Sequence, residues 1–235
     1  MDKSQGKNVT CQRTIALAIN LMFMVESFAA KAEGYAKARP PLHSQIVGRL
    51  SDLPATAALD LGCGSGLSTA PLLRFAASVV GVEPAVAMLR WAPRVAPGAR
   101  FVSARSESLP FRDATFDLIT AAGSLNYADP AAAFPELRRV LTPTGTLVVY
   151  DFAQIDFPYV RPRDGAIALS PEILATVQNS FRVARSEPLD LPVSMTHSQY
   201  LAYLNTELEV PAPPFQERWD LLFRGYLAWL TPACL

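Results

Sequence analysis

The sequence predicts an α/β fold: a doubly wound, mostly parallel sheet with helices on both faces. Three observations carry this. Short, almost uninterrupted apolar runs alternate with segments of helical period, the pattern of strands buried on both faces. The first of these runs leads into "LDLGCGSGLST" (59–69), where glycines at alternate positions let a strand-to-helix turn approach another group closely. The chain has 235 residues, half of them hydrophobic, enough for one domain with a sizeable core.

The elements follow in order. "TAALDL" (56–61) reads as a buried strand, followed by a helix from about Leu67 to Ala77. "SVVGVE" (78–83) is a second strand, "AVAMLRWA" (85–92) a second helix and "ARFVSA" (99–104) a third strand. "FDLITAA" (116–122) and "GTLVVYDF" (145–152) bracket a helix around "ELRRVL" (136–141), which Pro135 makes start late or kink. "FRVARSEPLDL" (181–191) reads as a sixth strand, "THSQYLAYL" (196–204) as an inserted helix and "FQERWDLLFRGYLAWL" (215–230) as a closing helix. Right-handed crossovers gather the strand-to-helix loops at one edge of such a sheet, where ligands bind.

Composition narrows the partners. Lys and Arg together equal Asp and Glu at 21 each, so the net charge is zero and a basic nucleic-acid footprint is missing. Twenty prolines with 18% charged residues indicate short connections rather than disorder. Cys11, Cys63 and Cys234 form no CxxC pair and are odd in number. They point away from structural zinc or any other metal, and toward a reducing, cytoplasmic compartment. The amino terminus admits two readings. Lys3, Lys7 and Arg13 precede the apolar run 15–25, with "AKA" at 30–32, as in a signal peptide. Alternatively, Met22 or Met24 is the start and the rest an extension. The run is too short for an ordinary membrane span. Residues 1–33 are therefore set apart from a domain over 34–235.

The glycine loop fails two nucleotide-binding patterns. Counting from Gly62, the sixth position of G-x-G-x-x-G is Leu67, and no lysine follows Gly66 as a P-loop requires. Asp60, just before the loop, would repel a pyrophosphate. It suits either a ligand ammonium or a loop amide. Glu83 ends the second strand, next to this loop in a parallel sheet, where a carboxylate accepts two hydrogen bonds from a ribose diol. The same acid before Pro84 also suits a helix start.

Residues about 35 to 152 resemble class I S-adenosylmethionine-dependent methyltransferases. The likeness is to the small-molecule branch with ubiquinone-biosynthesis-type and trans-aconitate-type enzymes. It rests on "YAKARPPL", "LDLGCGSGLST", "VVGVEPAVAML", "SESLPFRDATFDLITAAGSLNYAD" and "ELRRVLTPTGTLVVYDF", in that order. The resemblance implies a Rossmann-like fold and S-adenosyl-L-methionine as cofactor. By that resemblance Asp60, Gly62, Cys63, Gly64 and Gly66 surround its methionine part. Glu83 takes the ribose hydroxyls, Pro84 and Met88 flank the adenine, and Ser106 and Glu107 form an adenine-side turn. Ala122 and Gly123 face the sulfonium. Tyr35 and Arg39 match an aromatic and an arginine that cover the site, and Asn126 and Tyr127 stand where the family meets its substrate.

The implied activity is methyl transfer to a small-molecule acceptor. The alternative is a protein that binds the cofactor without transferring methyl. Neither Asn126 nor Tyr127 is a base at neutral pH, but the activated sulfonium needs alignment more than deprotonation. Base-modifying relatives use a motif such as N-P-P-Y, and "NYAD" lacks its prolines. Arg105 stands where relatives carry a small or acidic residue, so it either pairs with Glu107 or points to solvent. His43 reads as a surface residue. His197 falls in a substrate-covering insertion over about 190–215, where a helix cap at Thr196 explains it without chemistry. The Phe, Tyr, Leu and Pro content of 153–215 suits an apolar or aromatic acceptor. Relatives end in an antiparallel strand between the fifth and sixth strands. The sequence reads as lacking it, which would expose a sheet edge and favour a homodimer.

Overall fold

A computed structural model describes residues 31–53, 55–155, 171–206 and 213–233. The signal-like segment with Cys11, residue Cys234 and positions 207–212 of the expected insertion lie outside the described residues. Seven strands form one sheet: β1 (Ala55–Leu61), β2 (Ala76–Val82), β3 (Arg100–Val102), β4 (Phe116–Ala122), β5 (Leu141–Gln154), β6 (Phe181–Thr196) and β7 (Arg218–Pro232). Their order is β3-β2-β1-β4-β5-β7-β6. The first five run parallel, and β7 pairs antiparallel with both β5 and β6. The Rossmann-like, mostly parallel sheet expected from the sequence is thus observed.

Alternation along the strands assigns the two faces. Leu59 and Leu61 of β1, with Leu147 and Val149 of β5, bury against the face covered by α6 (Pro130–Val140) and α7 (Pro171–Val177). Ala58, Val148 and Tyr150 join the opposite cluster, covered by α2 (Leu42–Val47), α3 (Thr69–Leu72) and α8 (His197–Leu204). Every one of these strand residues is at most 3% exposed, so both faces of the sheet are covered. Residues 31–38 form a further helix, α1, and α4 (Val86–Leu89) and α5 (Ala92–Val95) follow β2.

Three expectations need correction. The sheet does not lack its final antiparallel strand: β7 is that strand, where a closing helix was expected. Its apolar residues obey period two, with Leu221, Phe223, Leu227 and Trp229 in one core cluster and Tyr226, Ala228 and Leu230 in the other. Burial on both faces hides that period in an almost continuous apolar run. Gly225 permits the close approach, since a Cβ there would lie 1.9 Å from the Asp151 carbonyl oxygen. The helix expected from Leu67 to Ala77 shrinks to α3, because β2 already begins at Ala76. The helix around Pro135 starts early, at Pro130, with the Asp129 side chain capping the Ala131 amide at 3.0 Å.

With β7 in place, β6 is the edge strand at this end of the sheet, and β3 is the edge at the other. Pro188 and Pro192, four residues apart, address one side of that strand, and proline is tolerated only on the side away from the ladder. Two donors are thereby missing from the edge, a device that discourages edge-to-edge pairing. The missing strand on which the homodimer expectation rested is thus present.

Candidate functional site

The loops after β1, β2, β3 and β4 meet at the carboxyl edge of the sheet and enclose a cavity of about 230 Å³. Its floor is the glycine turn. The Gly62 and Cys63 amides donate to the Val82 carbonyl at 2.8 and 3.0 Å, which brings the turn against the end of β2. Gly62 has φ +68°, and a Cβ there would stand 2.3 Å from the Ser124 Cβ. No other residue fits that position.

Asp60 stabilises the turn from beneath. It is fully buried and does not line the cavity. Its Oδ2 accepts the Ser68 and Thr69 hydroxyls at 2.7 and 2.6 Å, and its Oδ1 accepts the Thr120 hydroxyl at 3.0 Å. One carboxylate therefore ties β1 to β4 and to the start of α3. Burial pushes its pKa up, against the pull of the three hydroxyls. Its partners among the described residues are these three hydroxyls rather than a loop amide, and it stands behind the turn. Gly66 also lies outside the cavity lining and packs against Ala92.

Glu83 faces the cavity from the end of β2. Its Oε2 accepts the Gly64 amide at 3.1 Å and its Oε1 the Ala85 amide at 2.9 Å, so it links the glycine turn to the segment entering α4. Burial raises its pKa, opposed by these two amides. Beside it, burial and then the Asp60 and Glu83 charges push the Cys63 thiol up, so it stays protonated. Cys63, Gly64, Pro84 and Met88 all line the cavity here.

Ser106 and Glu107 line the next wall. Glu107 takes the Asp129 amide at 3.0 Å, the Ser106 hydroxyl at 3.1 Å and the Arg105 Nε at 3.4 Å. Of the two readings of Arg105, pairing with Glu107 is the one observed. Behind this wall Arg139 donates to Glu136, to Asp113 and to the Leu109 and Phe111 carbonyls, fixing the loop after β3 on α6.

The remaining end lies over β4 and β5. Ala122, Gly123 and Tyr127 line it, and Tyr35 and Arg39 also line the cavity. The Arg39 guanidinium sits 3.9 Å above the Tyr35 ring and 5.3 Å from that of Tyr203. Asn126 does not line the cavity. Its amide donates to Asp151 Oδ2 at 2.9 Å instead. Gly123 has φ +63°, and a Cβ there would lie 2.9 Å from Asp151 Oδ1.

Sequence reasoning missed Asp151, Phe152, Ser124 and His43, all of which line the cavity. Asp151 carries a signal like that of Glu83, an acid directly after the apolar run "LVVY" (147–150). His43 is corrected from surface to site: it packs edge-on to Phe152 at 5.4 Å and bonds the Tyr150 hydroxyl through Nδ1 at 2.9 Å. The detectable signal was its helical spacing with buried Ile46 and Val47. His197 plays no part in the cavity. It follows the Thr196 cap of α8 and accepts from the Trp219 indole at 3.3 Å.

A parallel sheet with a glycine turn and an acid at the neighbouring strand end defines an α/β protein that binds its ligand at the carboxyl edge. Residues 59–149 match the methyltransferase-domain family, in agreement with the resemblance read from the sequence. An uncharacterized methyltransferase of Mycobacterium tuberculosis is 32% identical over 121 residues, 52% of this chain and 50% of that protein. The demethylmenaquinone methyltransferase of Renibacterium salmoninarum is 32% identical over 113 residues, 48% of each chain. The chain thus spans about half the length of these curated relatives. In fold it is similar to geranyl diphosphate C-methyltransferase from Streptomyces coelicolor, crystallised with Mg2+, geranyl diphosphate and S-adenosyl-L-homocysteine. That match has a TM-score of 0.55 at 17% identity, over 82% of this chain and 78% of the other. Among the described residues no cluster of His, Cys, Asp and Glu could hold a metal, and no helix is long and apolar enough to cross a membrane.

Proposed function

We propose that the protein transfers a methyl group from S-adenosylmethionine to a small-molecule acceptor. The observation that carries this is Glu83, whose carboxylate lines the cavity while bonded to the Gly64 amide. A ribose diol and a glycine-turn ligand can meet only where those two groups stand together. The residues fit the cofactor. Gly62, Cys63 and Gly64 offer backbone to its amino-acid end, Glu83 takes the ribose, and Pro84 and Met88 with Ser106 and Glu107 enclose the base. Asp60 and Gly66 shape the turn from behind. When bound, the cofactor supplies a methyl group already activated by the sulfonium.

The chain's own task is then alignment and exclusion of water. Ala122 and Gly123 present bare backbone at the reacting end. Tyr35, Arg39 and Tyr127 close over it, and Asn126 acts through Asp151. Zero net charge and the lack of CxxC pairs favour a cytoplasmic enzyme that acts on neither nucleic acid nor membrane. The non-transferring alternative drew on a missing last strand and on the departure at "SLNYAD" (124–129), and β7 removes the first ground.

Isothermal titration with S-adenosylhomocysteine tests the reading. The wild-type protein should bind it, and Glu83→Ala should weaken binding by about tenfold or more, as expected for losing a charged hydrogen-bonding pair. Failure of the folded wild type to bind refutes the proposal. Release of S-adenosylhomocysteine from S-adenosylmethionine across an acceptor panel then tests transfer itself.

A further inference from the structure

Tyr150 is completely buried, and its hydroxyl has one partner among the described residues, His43 Nδ1 at 2.9 Å. Burial pushes this phenol well above its usual pKa, with the Asp60 and Asp151 charges adding to the shift, so the oxygen keeps its proton. That proton needs an acceptor. If His43 Nδ1 carried a hydrogen of its own, the phenolic proton would be buried with nothing to receive it. That penalty favours the other tautomer by about tenfold or more. Tyr150 therefore donates to Nδ1.

The imidazole is also neutral. Burial, then the nearby Arg39 charge, lowers its pKa to about 4. A neutral ring that accepts at Nδ1 must carry its hydrogen on Nε2. Nε2 has no hydrogen-bond partner among the described residues, and it is not one of the sealed polar atoms lacking one. His43 lines the cavity, and Nε2 is its one ring nitrogen not already bonded to a described residue. The flanking surface is the edge-on ring of Phe152. The two other charged groups at this end are Arg39 and Asp151. The Asp151 oxygens already receive the Phe152 amide at 2.8 Å and the Asn126 amide at 2.9 Å.

Resting on the methyl-transfer reading, we propose that His43 sets acceptor specificity. Held in one tautomer by Tyr150, it offers an Nε2–H donor to an oxygen lone pair of the acceptor. The acceptor class is thus a largely apolar molecule bearing a carbonyl, enolate or phenolate oxygen, and not a protonated amine. A cationic nitrogen finds no acceptor at Nε2, and the Asp151 carboxylate, the one anion at this end among the described residues, already holds two amides.

The tautomer is read first, on ligand-free protein. The chain has two histidines, so 15N-histidine NMR with a His197→Gln variant assigns His43. The expected spectrum shows Nε2 protonated and Nδ1 bare from pH 8 to pH 5, and Tyr150→Phe should lose that single tautomer. A protonated Nδ1, or an imidazolium already present at pH 6, overturns the proposal. Binding is read next by fluorescence titration, with and without S-adenosylhomocysteine. The probes are 1-hydroxy-2-naphthoate and its cationic counterpart 1-naphthylmethylamine. The naphthoate should bind and the amine should bind at least about tenfold more weakly. His43→Leu should weaken naphthoate binding by about tenfold or more, while His43→Gln, which restores an N–H near the same place, should stay within about threefold. S-adenosylhomocysteine affinity should be unchanged in both variants. Equal binding of the two probes, no loss in His43→Leu, or a parallel loss of S-adenosylhomocysteine overturns the assignment. The last result would make His43 a cofactor residue. Should wild type bind the naphthoate but not S-adenosylhomocysteine, the methyl-transfer reading falls, while the tautomer spectrum still decides the role of His43. If His43→Leu does not fold, the spectra of wild type and Tyr150→Phe decide it.

Discussion

Replacing Asp60 by alanine removes the acceptor of three buried hydroxyls at once. Ser68, Thr69 and Thr120 are 5%, 0% and 1% exposed, so water replaces the carboxylate poorly, and only Ser68 borders the cavity. Each hydroxyl left without a partner costs about 1 kcal/mol or more, and Asp60→Ala should therefore lose about 3 kcal/mol of stability. Asp60→Asn keeps the shape and one acceptor oxygen, and the hydroxyls can turn to accept from its amide. Its expected cost is about 1 kcal/mol. Urea unfolding at pH 7 measures both, read as a shift in midpoint at unchanged slope. The pH dependence adds a signature. The folded pKa of Asp60 is raised above its unfolded value of 3.8. Its contribution is fully present below pH 3.8 and is lost as pH rises through the folded pKa. Asparagine does not titrate, so its deficit relative to wild type should shrink as pH rises above 3.8. An Asp60→Ala protein within about 0.5 kcal/mol of wild type would refute the view that this carboxylate ties the turn to the sheet.

Gly62→Ala forces a positive φ on an L residue and drives its Cβ into Ser124, so it should cost about 2 kcal/mol or more in urea unfolding and abolish S-adenosylhomocysteine binding in any folded fraction. Arg139→Leu removes the clamp on the loop after β3. It should weaken S-adenosylhomocysteine binding severalfold with little change in acceptor-probe affinity, checked by titrating both. His43 has a folded pKa near 4 against 6.5 unfolded, so its neutral form stabilises the fold above pH 6.5 and that stability is lost as pH falls toward 4. Urea midpoints of wild type and His43→Gln should converge over that interval, and parallel curves would argue against a buried neutral imidazole.

The parallel half of the sheet was legible because its strands are short, apolar and separated by turn chemistry. β4 coincides with "FDLITAA", and β1 and β2 differ from expectation by one or two residues. Much of the cavity wall was legible for a related reason: a strand end, a glycine turn and an acid are local signals. What escaped was non-local. The partners of Asp60 come from β4 and the start of α3, and no spacing in the sequence announces them. His43 reaches the site from an amino-terminal helix, through a tyrosine 107 positions away. β7 was misread because a strand buried on both sides loses its visible alternation, and "LLFRGYLAWL" satisfies a helical period as readily. Gly225 inside that stretch was the available warning, since glycine in a helix interior costs about 1 kcal/mol relative to alanine.

The position of β7 bears on how the molecule is made. It follows β6 in sequence but lies between β5 and β6 in space, pairing Leu147 with Leu230 and Phe181 with Pro232. During synthesis β5 and β6 both leave the ribosome before the strand that joins them. Until residues 218–232 emerge, the nascent sheet carries a gap lined on either side by unpaired backbone and by apolar side chains from both faces. Closing it requires contacts far apart in the chain, which form slowly. The interval between β6 and β7 is therefore when this protein should depend most on chaperones.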